Sequence, residues 1–352
     1  MSERVPREPV APSAGDAPVR PSLGTTAGEW SYRLAEHKGT LLALVVFVLM
    51  FGLYIANHSA GLTPGVATTA ANKAVLLALV AMAQTLPVLT AGLDLSVGMV
   101  FILANCLAST LVHGSAFEVA LGIAIVLATG LACGLLNGLI VVHGRLQPII
   151  TTLATGAVYY GVALKVRPSP GGQVDEALAD ALTGTLFDTV PTMLVVLLVV
   201  VLTVWLPYRR SVIGRAAYAI GSNEVAAYMS GVDVRRAKLL AYTLAGFLSA
   251  LAGLLLTFVT YSGEASSSLG GTYTLNSIAA VVIGGTSLFG GAGSAVGSIF
   301  GAFVLRTIGD LLFVFDLPAL WQPLFQGIVL LAAVSLGSLR LIKVRNRLEV
   351  FG

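Results

Sequence analysis

Residues 90–98, with the sequence TAGLDLSVG, place a carboxyl group inside a long apolar stretch. Asp94 is the only acidic residue between Glu36 and Glu118, and Pro87 lies just before the stretch. Proline and glycine interrupt helices, and non-helical backbone at membrane depth is tolerated only against protein or water. Two roles are open for Asp94. In the preferred role, the Asp94 carboxylate caps the following helix by accepting hydrogen bonds from the free backbone N–H groups of its first turn. In the other role, the carboxylate contacts a transported solute.

A second interruption covers residues 283–294, where five glycines stand between two apolar runs. Each glycine in a helix interior costs about 1 kcal/mol relative to alanine, so a regular helix is not predicted here. Glycine-interrupted segments in both halves of a polytopic protein indicate a transport pathway, and Thr286 and Ser287 offer hydroxyl groups in this one. The alternative is a tight turn between two helices that has no part in transport.

The third unusual stretch, residues 214–233, is too polar to cross a membrane. Asn223 to Met229 is predicted to form a short amphipathic helix, with Ser222 or Asn223 suited to its N-cap and Gly231 following its end. A surface helix that exposes alanine, tyrosine and methionine indicates docking onto another protein. An ordinary connecting loop is the alternative.

The sequence lacks the residue patterns of common catalytic and metal sites. Cys106 and Cys133 lie in apolar runs, and no cysteine and histidine spacing suits a metal ion. No G-x-x-x-x-G-K-[ST] phosphate loop is present, so the chain itself is not expected to hydrolyse ATP. We therefore predict no catalytic residue, no metal ion and no cofactor.

The amino-acid composition indicates the environment of these stretches. Of the 352 residues, 56% are hydrophobic and only 11% are charged, whereas soluble domains carry about 25% charge. This excludes a soluble enzyme, a nucleic-acid binder and a secreted disulfide scaffold, and it predicts an integral membrane protein. Continuous apolar runs favour helices over a barrel. We predict an all-α fold with about ten transmembrane helices, at residues 39–57, 66–91, 97–113, 117–142, 148–166, 190–207, 238–260, 274–290, 294–314 and 319–339.

The distribution of basic residues gives the orientation. Six lysines and arginines lie between Pro207 and Leu239, and four more follow residue 339, whereas the loop at 167–189 is acidic. By the positive-inside rule both chain ends are cytoplasmic, which ten crossings satisfy. We therefore expect a cytoplasmic tail at residues 1–38 that does not fold alone, a transmembrane domain at 39–340 with a cytoplasmic segment at 208–237, and a cytoplasmic tail at 341–352.

One further pair of charges lies inside a predicted span. Arg306 and Asp310 are four residues apart and share a helix face. Charges at membrane depth usually face the protein interior, so we expect an internal ion pair between them.

Five stretches in register resemble the permease subunits of ribose-type ABC sugar importers. They are VLTAGLDLSVG at 88–98, GLLNGLIVV at 134–142, GRLQPIITTLAT at 144–155, GRAAYAIGSNEVAAYMSGVDV at 214–234 and IAAVVIGGTSLFGGAGSAVGSIFGA at 278–302. The resemblance implies a ten-helix permease in the bacterial plasma membrane that imports a monosaccharide. It also implies three partners, namely a second permease subunit, a cytoplasmic ATPase and an extracellular sugar-binding protein, and no nucleic acid.

The resemblance also assigns residues. The expected substrate pathway, which includes the hydroxyl residues of the glycine-rich stretch, consists of Asp94, Ser96, Asn137, Thr151, Thr152, Thr286 and Ser287. The segment expected to dock on the ATPase contains Gly214, Arg215, Gly221, Asn223, Glu224, Ala227 and Gly231.

Three alternatives stay open at this point. A proton-coupled carrier with Asp94 as the proton site would need no ATPase. An ABC permease for a small polar solute other than a sugar would keep the same partners. A membrane scaffold without transport activity would gain nothing from the two interrupted helices.

Overall fold

The computed structural model describes residues 38–329, 331, 332 and 335, and most of these residues form helices. The predicted tails at 1–38 and 341–352 lie outside the described residues, apart from Lys38. The longer elements in chain order are α1 (Lys38–Asn57), α2 (Pro64–Leu89), α3 (Val97–Leu111), α4 (Ala116–His143), α5 (Pro148–Val166), α6 (Glu176–Thr183), α7 (Thr192–Arg210), α8 (Val212–Ser222), α9 (Glu224–Met229), α10 (Val234–Thr260), α11 (Ser267–Ile283) and α12 (Ala295–Val314).

Seven of the described helices are long and apolar enough to cross a bilayer, and these are α1, α2, α4, α5, α7, α10 and α12. The predicted spans at 97–113 and 274–290 correspond to shorter helices, α3 with 15 residues and α11 with 17. The predicted span at 319–339 begins with a 3-10 turn, Ala319–Trp321, followed by a helix at 322–329. Part of that span lies outside the described residues.

Local sequence signals account for where the helices begin. Thr63 caps α2 by accepting a hydrogen bond from the Val66 N–H, and Pro64 follows at the first helical position. Ser115 and Glu118 form a reciprocal capping box at the start of α4. These devices satisfy backbone donors that would otherwise be costly to leave free near a membrane.

The core is built around three helices that other helices surround. Residues 75–90, which cover the second half of α2, are all buried. Helix α10 packs on α2, α3 and α4, while α12 packs on α1 and α2 and α11 packs on α2, α3 and α12. Helices α2, α3 and α10 therefore form the centre of the bundle, and α1, α4, α5 and α7 expose many large apolar side chains.

Two connections contain small elements that the sequence did not predict. Between α5 and α7 lie the short helix α6 and a hairpin of β1 (Thr185–Leu186) and β2 (Val190–Pro191), in which Thr185 pairs with Pro191 and Leu186 with Val190. Helix α8 precedes the predicted short helix α9.

Candidate functional site: two interrupted helices and the segment that joins them

The carboxylate of Asp94 is buried in the break between α2 and α3. Its Oδ1 atom accepts hydrogen bonds from the Ser96 N–H at 2.9 Å and the Ser96 hydroxyl at 2.6 Å. Ser96 is the residue before α3, and its own side chain makes no capping bond. The expected cap on first-turn N–H groups is therefore wrong in detail, because the carboxylate instead closes a local turn two residues long.

A chain of hydrogen bonds connects this turn to α4 and α5. The Asn137 amide nitrogen donates to the Ser96 hydroxyl at 2.8 Å, and the Tyr159 hydroxyl donates to Asn137 Oδ1 at 3.0 Å. Tyr159 also lies 3.0 Å from the Cys133 carbonyl oxygen. The side chains of Asp94, Ser96 and Asn137 are buried, so the network binds the break to two neighbouring helices.

Thr152 attaches the break to α5 a second time. Its hydroxyl oxygen accepts a hydrogen bond from the Leu95 N–H at 2.9 Å, which satisfies a backbone donor that no helix uses. The same hydroxyl donates to the Pro148 carbonyl. The neighbouring Thr151 is buried, and its hydroxyl has no hydrogen-bond partner in the part of the chain that the structure describes. Five of the seven predicted pathway residues thus lie around one break.

Helix α11 presses against the start of α3 through glycines. A Cβ atom on Gly98 would lie 1.9 Å from the Gly270 carbonyl oxygen, so no larger residue fits at position 98. The Gly98 N–H donates to the Thr274 hydroxyl at 3.1 Å. The second glycine of the TAGLDLSVG stretch therefore permits a close contact between two helix backbones.

The glycine-rich stretch forms a compact turn, and its hydroxyl groups serve that turn. Thr286 is buried and accepts a hydrogen bond from the Ser294 N–H at 3.2 Å. The Ser287 N–H donates to the Ala292 carbonyl at 3.0 Å, and its hydroxyl oxygen accepts from the Phe289 N–H. Gly285, Gly290, Gly291 and Gly293 adopt positive φ angles, which explains the demand for glycine. Thr286 and Ser287 do not join the Asp94 network.

Helix α8 touches both interruptions at once. The Gly291 N–H donates to the Leu89 carbonyl at 3.2 Å, which joins the glycine-rich turn to the end of α2. A Cβ atom on Gly221 of α8 would lie 2.1 Å from the Leu89 oxygen and 2.2 Å from the Gly291 nitrogen. The Tyr218 hydroxyl, also on α8, donates to the Gly293 carbonyl at 2.9 Å. The breaks in the two halves of the chain thus meet beneath one helix.

Several predicted docking residues have a structural role within the α8 and α9 segment. Gly214 is buried, and a Cβ atom there would lie 1.9 Å from the Tyr208 carbonyl oxygen. The Asn223 side chain caps α9 by accepting from the Ala226 N–H, as the sequence indicated. Ala227 is buried, and Gly231 ends the segment with a φ of +79°.

Other residues of the same segment do face outward. Arg215 is exposed, and Glu224 binds Lys238 at 2.7 Å in a salt bridge that is half open to solvent. Two apolar side chains of α9 are strongly exposed, Tyr228 by 72% and Met229 by 81%. Large exposed apolar side chains on a short helix indicate a surface that another protein covers.

The charges within the spans pair differently from the prediction. Asp310 lies 3.8 Å from the Lys73 ammonium group on α2, and it makes no ion pair with Arg306 within the described residues. An i, i+4 spacing on one helix was a weaker constraint than the packing of α12 against α2. Among the residues that the structure covers, no three His, Cys, Asp or Glu side chains are grouped for a metal ion.

The family described as "Branched-chain amino acid transport system / permease component" matches residues 66–334, which include both breaks and the segment between them. The chain belongs to this permease family. The matched region begins in α2 and extends beyond α12, so the whole interrupted core lies within it.

Three relatives with assigned names support the membership of this chain in the permease family. The ribose import permease protein of Bacillus subtilis is 40% identical over 262 residues, or 73% of this chain and 80% of the relative. The autoinducer 2 import system permease protein of an Enterobacter species is 33% identical over 312 residues, or 87% and 89%. The fructose import permease protein of Rhizobium meliloti is 31% identical over 306 residues, or 84% and 83%. No solved structure matches the chain.

The family and the seven long apolar helices together locate the protein. This permease is a multi-pass integral membrane protein of the bacterial plasma membrane.

Proposed function

We propose that this permease is the membrane subunit of an ATP-binding-cassette importer that moves a monosaccharide into the cell. The observation that carries the proposal is the 40% identity to a ribose import permease over 73% of the chain. The proposal includes a second permease subunit, a separate cytoplasmic ATPase and an extracellular sugar-binding protein. No residue of the chain is assigned a catalytic role.

The proposed topology has ten crossings with both chain ends in the cytoplasm. The seven long helices would be joined by α3, by α11 and by the segment at 319–339. The transmembrane domain at 39–340 and the two flanking tails complete this arrangement. It places α8 and α9 on the cytoplasmic side and the hairpin of β1 and β2 outside.

The proposed mechanism is alternating access driven through α8 and α9. ATP binding would bring two ATPase subunits together, and the exposed Tyr228 and Met229 of α9 would follow them. Because Gly221 rests on both Leu89 and Gly291, any displacement of α8 reaches both breaks. The ATPase then acts by favouring one of two permease conformations.

The pathway residues fall into two proposed roles. Asp94, Ser96, Asn137 and Thr152 would hold the first break in shape, because their polar atoms bind one another or nearby backbone. Thr286 and Ser287 would do the same for the glycine-rich turn, which supports the structural role for both breaks. The Thr151 hydroxyl, which has no hydrogen-bond partner in the described chain, is the candidate for transient solute contact.

Reconstitution tests the proposal. The permease is placed in proteoliposomes with a ribose-type ABC ATPase, a sugar-binding protein and radiolabelled D-ribose or D-fructose. We expect uptake only when all three components and ATP are present. Uptake by the permease alone under a proton gradient would refute the ABC mechanism in favour of a proton-coupled carrier.

A second candidate solute class is favoured by one relative. The autoinducer 2 import permease aligns with 87% of this chain, so a small polar solute other than a common sugar is the alternative. Failure of both sugars, with ATPase activity still stimulated by the binding protein, would support that class.

A further inference from the structure

Helix α11 has hydroxyl-bearing side chains on a face that no other described helix covers. Ser268 and Thr272 are exposed, and Leu275 is 61% exposed one turn further along. An added Cβ atom on Gly271 would meet no atom within 4 Å. The opposite face is buried against α3 through Thr274. Helix α11 therefore stands at the edge of the core with a polar side open.

In the proposed topology this open face lies within the membrane. The Glu264 N–H, just before α11, donates to Asn105 Oδ1 at 2.9 Å. Asn105 is six residues from the end of α3 at Leu111, which corresponds to about 9 Å along a helix. The Asn105 amide nitrogen in turn donates to the Thr257 hydroxyl of α10. The loop before α11 thus returns into the bundle before the helix begins.

A lipid-facing position does not suit this helix. Six of its 17 residues are serine, threonine or asparagine, and α11 is not among the described helices that are long and apolar enough to cross a membrane. A single threonine is tolerated in lipid when its hydroxyl binds the carbonyl four residues earlier, as Thr203 of α7 binds Val199. Thr272 makes the same bond to Ser268, but it shares its face with further polar groups. Polar groups at membrane depth face the protein interior or a water-filled path.

Glu264 adds a carboxylate just before this helix. It lies three residues ahead of Ser267, where α11 begins, and Ser268 and Thr272 follow at helical spacing on the exposed face. Glu264 is exposed, and within the described residues its carboxylate makes no ion pair and accepts no hydrogen bond. Two hydroxyl groups on one helix face, with a carboxylate close to them in the chain, suit a neutral solute with several hydroxyl groups, which can both donate and accept hydrogen bonds.

Building on the proposed function, we propose that Glu264, Ser268 and Thr272 form one wall of the solute path and contact hydroxyl groups of the transported sugar. The wall lies in the half of the membrane that the proposed topology places outside. One turn beyond Leu275, Ala279 is only 2% exposed, so the open face ends there. The side chains of the Asp94 network are buried, so they do not line this wall.

Thiol accessibility separates a water-filled path from lipid. T272C is compared with T203C, because both threonines are exposed and make the same backbone hydrogen bond on different helices. The native Cys106 and Cys133 are buried and provide a low background. A charged, membrane-impermeant methanethiosulfonate reagent should label T272C at least about tenfold faster than T203C, because the reactive thiolate forms in water. Excess D-ribose with the binding protein should slow the labelling of T272C.

Transport supplies the second measurement. In the complete reconstituted importer, E264Q and T272V should lower the maximal rate of D-ribose uptake several-fold, while T203V transports at the wild-type rate. Equal labelling of T272C and T203C, or wild-type uptake in both E264Q and T272V, would overturn the inference. If T272C fails to reach the membrane, S268C replaces it under the same criterion. Absence of wild-type uptake would instead contradict the proposed sugar class, while the labelling comparison would still decide whether α11 faces water.

Discussion

The contact of Gly221 with both breaks gives a sharp prediction for G221A. The added methyl group would lie 2.1 Å from the Leu89 oxygen and 2.2 Å from the Gly291 nitrogen, and neither backbone atom can rotate away. Overpacking costs about 1–3 kcal/mol, and losing the hydrogen bond between Gly291 and Leu89 costs about 1 kcal/mol more. Alanine regains at most about 1 kcal/mol of helix propensity, and less here because Gly221 is next to the last residue of α8.

The balance is a loss of about 1–4 kcal/mol at the contact, so α8 must separate from the breaks. In proteoliposomes with the ATPase and binding protein, G221A should hydrolyse more ATP for each solute molecule transported than the wild type does. G52A is the matched control, because a Cβ atom there meets nothing within 4 Å. A wild-type ratio of ATP to solute in G221A would refute the argument that this contact transmits movement.

Three further predictions follow from the network and from α9. N137A should lower the thermal melting temperature, because it deprives Ser96 of a donor and removes two buried hydrogen bonds at a cost of about 2–4 kcal/mol. The control S249A removes a buried hydroxyl without a described partner, so its melting temperature should stay near that of the wild type. D94N retains an oxygen for the turn and should melt only slightly lower, whereas D94L should be clearly destabilised; equal melting of the two would contradict the hydrogen-bonding role. M229D should leave insertion intact but reduce co-purification of the ATPase, and unchanged recovery would argue against docking through α9.

Apolar run length predicted the long helices well. The spans expected at 39–57 and 148–166 correspond to Lys38–Asn57 and Pro148–Val166, and Pro148 marks the start of the second helix. Helix α8 was not predicted, since its short mixed sequence has no long apolar run. The hairpin was missed for another reason. Its turn residues Phe187 and Asp188 both have positive φ angles, and this pair of residue types does not predict such a turn.

The candidate site was predictable as residues but not as contacts. Asp94 and Ser96 were selected from one motif and Asn137 from another, and the structure joins them by hydrogen bonds. Tyr159 was missed, because a tyrosine on an apolar helix carries no signal until its partner is known. Lys73 was missed as the partner of Asp310 for a similar reason: the two residues are distant in sequence and meet only through helix packing.

The short helix α3 has a consequence for the surrounding lipid. Its 15 residues span about 22 Å, well below the roughly 30 Å hydrocarbon thickness of a bilayer. Exposed to lipid, such a helix would require local thinning of the membrane. Eleven of its residues are buried, so the neighbouring helices shield it and the thickness mismatch does not arise. The surrounding lipids therefore contact outer helices of ordinary length. We expect a change in lipid acyl chain length to affect these outer helices and to leave the interrupted helices at the centre unaffected.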